Sequence, residues 1–237
     1  MKRGDKRSMP KAKAMTLGEF KTAFAKIKKL GWIPSKRRGD TGIGQTLVQL
    51  LGLKENNIAL PDLSGAELKT HRSGSSSMIT LFTFNRKAWK MRPLEAIRKY
   101  GTPDRDGRLG LYFTMSRKPN SMGLFLDVGR DSVSVQHKSG ELIAEWEFES
   151  IANKFMRKIP AMILVSVFSE MRGDVEWFRY DRARLLRGTS PDIMSSEIWV
   201  GHVLLDIRLT ERASFNEMRL LVDDDHLDKL FRESTTL

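Results

Sequence analysis

Residues 61–69 read PDLSGAELK and bring two carboxylates and an amine into one short stretch: Asp62, Glu67 and Lys69. If residues 66–71, AELKTH, form a strand, side chains alternate with period two, so Glu67 and Lys69 share a face and Leu68 turns to the core. Leu63, Ser64 and Gly65 let Asp62, behind Pro61, bend back towards Glu67. Adjacent carboxylates resist joint ionisation unless a cation lies between them, and oxygen donors suit a hard ion such as Mg²⁺. Such an ion neutralises charge on phosphate oxygens and acidifies a bound water, while a lysine beside it adds positive charge where the transition state needs it. The set suits hydrolysis of a phosphodiester. The same spacing also occurs on solvated strand edges, so the surrounding sequence has to decide.

Charge points the same way. Among 237 residues, 41 Lys and Arg against 29 Asp and Glu leave a net charge of +12. That excess attracts polyanions, nucleic acid first and an anionic membrane surface second. There is no cysteine, which excludes disulfides, thiolate nucleophiles and cysteine zinc sites. The longest apolar run, AMILVSVF at 161–168, is too short for a bilayer, and no apolar stretch follows the N-terminal charges, so a cytoplasmic protein without a membrane segment is expected.

The elements that must position the three residues follow from periodicity. Residues 1–14 are basic and poor in apolar side chains, and read as a flexible arm. Behind Thr16, a good N-cap, Leu17, Phe20, Phe24, Ile27 and Leu30 recur at helical spacing up to Gly31. Lys36, Arg37 and Arg38 precede the glycines of TGIGQTL and a short helix, where they suit phosphate contact. Strands are expected at 66–71 and 78–84, paired as a hairpin across a Ser/Gly-rich link, and at 161–169, 202–210 and 217–222, the last two as partners. Helices are expected at 92–100, 149–158 and 191–200 and at the C-terminus, with a small antiparallel meander over 109–148. Residues 176–186 fit a strand or a helix. Trp89, Trp146, Trp177 and Trp199 are expected in the core, and His71, sharing the face of Lys69, could touch phosphate or a base edge, although a lone histidine is more often structural. The whole is a mixed α/β or α+β domain.

The block over residues 31–84, with TGIGQTL, ENNI, PDLSGAELKTH and TLFT in order, resembles the catalytic half of the MvaI/BcnI family of type II restriction endonucleases, related in fold to the mismatch-repair nickase MutH. SRKPNS at 116–121 and LLDIRL, MRLLV and LDKLF near the C-terminus resemble later family segments. The resemblance implies a restriction-endonuclease-like PD-(D/E)xK fold, a mixed central sheet flanked by helices. Residues 15–237 would then be a single nuclease fold, with 15–100 and adjoining strands as a catalytic lobe and about 175–237 as a DNA-recognition lobe. Asp62, Glu67 and Lys69 match the family's catalytic trio, with Asp62 and Glu67 holding Mg²⁺. Asp206 and Arg208 match a base-reading pair and Arg219 a second recognition arginine, in keeping with arginine's bidentate fit to guanine. Arg117, Lys118 and Asn120 suit a loop entering a groove.

The resemblance further implies a monomer that cuts the two strands of double-stranded DNA in separate events, with a cognate DNA methyltransferase in the same system but not in a stable complex. It departs from the family at Val48, where members carry an acidic residue, and at Arg212 and Ser214, where they carry target-reading histidines, so the target sequence does not carry over. A MutH-like repair nickase and a DNA-binding protein with decayed catalysis are the alternative readings.

Overall fold

The computed structural model describes residues 15–53, 65–84, 88–211 and 216–237. Asp62, the arm at 1–14, and Arg212 and Ser214 lie outside the described residues. Helix α1 (Leu17–Lys29) begins at the expected cap: the Thr16 hydroxyl accepts from the Glu19 amide while the Glu19 carboxylate accepts from the Thr16 amide, satisfying two otherwise orphaned donors. Gly31, at φ +68°, takes the left-handed conformation that ends it.

The central sheet carries α1 and helix α2 (Gly42–Leu50) on one face. Its strands run in the order β1 (Ile33–Pro34), β10 (Val175–Arg187), β9 (Ala161–Arg172), β2 (Glu67–Arg72), with β13 (Glu233–Thr236) also paired to β10. The β9–β10 pair is a long antiparallel hairpin and β2 runs parallel to β9. Ile163, Val165 and Val167 of β9 meet Phe20, Phe24 and Leu47 on the helix side, all buried. Each such aliphatic contributes roughly 1.5–3 kcal/mol by leaving water, so β9 is a rigid rail for β2.

A second sheet has the order β3 (Ile79–Phe84), β12 (Asn216–Val222), β11 (Val203–Thr210), β5 (Leu109–Met115), β4 (Thr102–Pro103). The meander β6 (Leu124–Val128), β7 (Ser132–His137), β8 (Leu142–Glu147) forms a third. Helices α3 (Pro93–Tyr100), α4 (Phe148–Lys158) and α5 (Pro191–Val200) belong to a shared core to which Met162 and Leu164 of β9 contribute from the central sheet. Phe155 of α4 bridges that core, with its ring 5.4 Å from Phe82 and 5.7 Å from Phe231.

The expected hairpin between 66–71 and 78–84 does not form: β2 pairs with β9 and β3 with β12. A turn does form at Ser73–Gly74, with Gly74 at φ +75°, but the link over 73–78 is longer than the two-residue turn that enforces hairpin register, and separate pairing lets Leu81 and Phe82 enter the second core. Residues 176–186 resolve as strand β10. The C-terminal helix is shorter than expected, a turn α6 (Asp224–Leu227), then a 3₁₀ turn Asp228–Leu230, before the chain extends into β13. There Arg184 of β10 pairs with Asp224 and, at 2.8 Å, Asp228. Sheet membership alternates along the chain, so residues 175–187 and 233–236 complete the central sheet while 79–84 belong to the second.

Candidate active site

Glu67 and Lys69 lie on the same face of β2, which among the described residues is the edge strand of the central sheet. Lys69 Nζ is 3.5 Å from Glu67 Oε1, with the side chains 21% and 32% exposed. That is enough shielding to strengthen their attraction and enough access for a phosphate to reach both. In the ladder Glu67 faces Met162, Lys69 faces Leu164 and His71 faces Ser166, so the pair projects from a backbone held by buried β9. His71 is itself buried, at 7% exposure. On the opposite face Leu68 packs into the helix-side core, as alternation required.

The glycines of TGIGQTL act through packing. A Cβ on Gly42 would stand 2.4 Å from the Arg37 carbonyl oxygen, and one on Gly44 would stand 3.4 Å from Thr70 Oγ1 of β2. Thr46 Oγ1 accepts from the Lys36 amide at 3.0 Å, which anchors the basic loop to α2 with Lys36, Arg37 and Arg38 exposed. The Tyr180 phenol of β10 donates to the Ile43 carbonyl at 2.9 Å, and burial pushes that phenol well above its ordinary range, so it stays a donor. At the far end of β2, Arg72 makes a two-pronged bond to Glu176 of β10, at 2.8 and 3.0 Å. Val48 sits half-buried on α2.

The predicted base-reading residues gather on the face of the second sheet that turns from the core. Across four strands Thr83, Arg219, Asp206 and Thr114 stand in one row, and Arg208 and Tyr112 are paired in the next. Asp206 is 1% exposed; it accepts from Thr114 Oγ1 at 3.0 Å and from Arg208 Nε at 2.8 Å. Arg208 reaches outward over the Tyr112 ring, its guanidinium carbon 5.9 Å from the centroid. Thr114 and Tyr112 were not picked out from the sequence; the alternation in LGLYFTM, with Leu111 and Met115 buried, is the signal that places them on the polar face.

In the loop before β6, Asn120 Oδ1 accepts from the amides of Met122 and Leu124, both at 3.0 Å, so that side chain holds the loop's own shape. Arg117 stacks on Trp199, 3.7 Å from the ring centroid, and Lys118 is exposed. Trp199 is 50% exposed, not in the core as expected. A concavity of about 850 Å³ between β8 and α4, lined by Lys90, Glu145, Trp146 and Lys154, contains none of these residues.

Among the described residues no three His, Cys, Asp or Glu converge as a metal cluster. Glu67 supplies one accessible carboxylate at this site, an oxygen donor of the kind that suits a hard ion such as Mg²⁺, and the other expected ligand, Asp62, lies outside the described residues.

The sequence model of the MvaI/BcnI restriction endonuclease family matches residues 21–220. The chain belongs to that family. As a member it is a type II site-specific deoxyribonuclease. Its fold is similar to that of restriction endonuclease MvaI solved in complex with its cognate DNA substrate, with a TM-score of 0.73 and 24% identity over 97% of this chain and 99% of that one. MvaI solved in the absence of DNA aligns at a TM-score of 0.56, again at 24% identity, over 95% of this chain and 99% of that one. No curated protein matches the sequence. No helix among the described residues is long and apolar enough to cross a membrane.

Proposed function

We propose that this family member is a Mg²⁺-dependent endonuclease that cuts both strands of duplex DNA at a specific sequence, leaving 5′-phosphate and 3′-hydroxyl ends. The observation that supports it is the Glu67–Lys69 pair, 3.5 Å apart on one face of a strand fixed by β9. Glu67 and Asp62 would hold the ion, which when bound neutralises phosphate charge and lowers the pKa of a water. Lys69 Nζ donates a hydrogen bond to a non-bridging oxygen as negative charge grows there. Water oxygen bonds to phosphorus, the P–O3′ bond breaks, and the proton lost by the water balances the one the 3′-oxygen gains. Lys36, Arg37, Arg38, Arg117 and Lys118 contact phosphates, while Arg208 and Arg219 read guanine edges, Arg208 being held in place by Asp206.

The test is incubation of supercoiled plasmid and unmethylated phage DNA with Mg²⁺ or EDTA, beside Lys69→Ala. Discrete Mg²⁺-dependent fragments are expected from the natural protein, with a loss of roughly 100-fold or more in the variant. Full cutting by Lys69→Ala or by Asp62→Ala would sink the assignment, and a product that stops at the nicked circle would identify a nickase.

A further inference from the structure

The face of the central sheet that carries Glu67 and Lys69 does not end at β9. The ladder pairs His71 with Ser166 and Ser166 with Arg182 of β10, so Arg182 stands in the row of the catalytic strand and on its face. Ser166 between them is buried, and its hydroxyl has no hydrogen-bond partner among the described residues. A bulge between Tyr180 and Arg182 makes this possible: it shifts the alternation by one, so Phe178 and Tyr180 and then Ala183 and Leu185 all face the helix side. On the catalytic face this leaves Arg179 and Arg182, both exposed, with Trp177 towards the hairpin tip and, the other way, the buried Arg184 and Leu186 in the rows of Lys69 and Glu67, while the half-buried Asp181 is the extra residue of the bulge.

Beyond that row the hairpin carries arginines backed by aromatic rings. Arg179 lies over Phe168 at 4.5 Å and Trp32 at 5.7 Å, and Arg172 over Trp177 at 4.5 Å and Trp32 at 5.3 Å. Glu170 shares this face and pairs with Arg172 at 2.5 Å, so the surface keeps a positive excess. A guanidinium stacked on a ring is held in orientation while its in-plane N–H groups stay open to an anion, which suits a phosphodiester better than a flexible lysine would. Phe168, 37% exposed on a protruding hairpin, has no role in the core to explain it.

We infer that the catalytic face of the β9–β10 hairpin is a second DNA-contact track, in which Arg182, Arg179 and Arg172 grip the backbone of the duplex flanking the cut. Six residues of strand separate Ser166 from Arg172, about 20 Å at strand rise, the axial length of about six base pairs. The occupant is a polyanion with regularly spaced phosphates because the charges are repeated along a line and continue from the site that hydrolyses one. The inference rests on the nuclease reading above.

The experiment measures equilibrium binding of the full chain to a duplex several helical turns long, in EDTA, across a salt series. Variants are Arg179→Gln, Arg182→Gln, the double variant, and Arg187→Gln, which removes the same charge from β10 on its other face. Each lost phosphate contact should flatten the slope of log affinity against log salt by about 0.9, so the double variant should lose about twice that while Arg187→Gln keeps the natural slope. A double variant with the natural slope, or an equal change in Arg187→Gln, overturns the track while leaving the nuclease reading in place. A natural protein that neither binds duplex DNA nor cuts plasmid overturns both.

Discussion

The carboxylate of Asp206 sits where few carboxylates do, almost sealed from water inside a sheet face, with Thr114 and Arg208 as donors. Its family match suggested a residue that reads a base directly. With both oxygens engaged inside the protein, its chemistry here is to hold the guanidinium of Arg208 in one plane over Tyr112, the pre-orientation a bidentate contact to guanine requires. Removing Arg208 therefore has two effects: Arg208→Ala should erase site selection and also cost about 1.5–3 kcal/mol, because a buried carboxylate loses a charged hydrogen bond. Urea unfolding and the plasmid fragment pattern measure the two separately. Arg208→Ala with natural stability and the natural fragment pattern would show that the pair has neither role. Arg117, on an exposed tryptophan, supplies the contrast, since its removal should change stability by under about 0.5 kcal/mol.

At the scale of elements, the question is what sets β2 against β9 so that Glu67 and Lys69 project together. Helix α2 answers it through two glycines of different kinds. Gly42 sits against the Arg37 carbonyl, itself held by the Ser35 hydroxyl at 2.6 Å, so a methyl there must push the loop and helix apart. Gly44 faces Thr70 with space for ordinary contact, and alanine in a helix interior gains about 0.8–1 kcal/mol of propensity. Gly42→Ala should lose about 1–3 kcal/mol and slow cleavage by displacing β2, whereas Gly44→Ala should fold at least as well and cut normally. Urea midpoints and cleavage rates of the two variants check this, and the reverse ranking would refute the packing account.

Elements with a single clean period were legible in the sequence: α1 with its cap, α4, and β11 with its partner β12. Residues 176–186 were ambiguous because the bulge breaks the two-residue period, leaving buried positions 178, 180, 183 and 185 that fit neither a strict strand nor a helix. In the structure the Gly173–Asp174 turn, with Gly173 at φ +60°, closes the hairpin in which these residues run as a strand. Which sheet β2 and β3 joined was not legible, because pairing across about a hundred residues is set by how each strand buries its apolar face. At the site, the shared face of Glu67 and Lys69 was readable from spacing alone, while the orientation of Arg208 by Asp206 needed the third dimension.

For the molecule as a whole, the link at 73–78 joins β2, the edge strand of the central sheet among the described residues, to β3, the edge strand of the second sheet among them. Seven residue steps separate Arg72 from Ile79, a reach of at most about 25 Å, so β2, with Glu67 and Lys69, and the second sheet, with Asp206 and Arg208, are tethered as one unit. That unit presents β2 once per chain, whereas the two scissile phosphates of a duplex lie on strands of opposite direction. If the chain acts as the proposed monomer, it would address one strand at a time and would have to release and rebind or turn over to reach the other. A dimer would instead present two sites at once. The monomer account predicts that supercoiled plasmid passes through an open-circle intermediate before it becomes linear, and that the initial rate rises in direct proportion to protein concentration. A rate that rises with the square of concentration, with linear product formed directly, would mean that two chains assemble on each site.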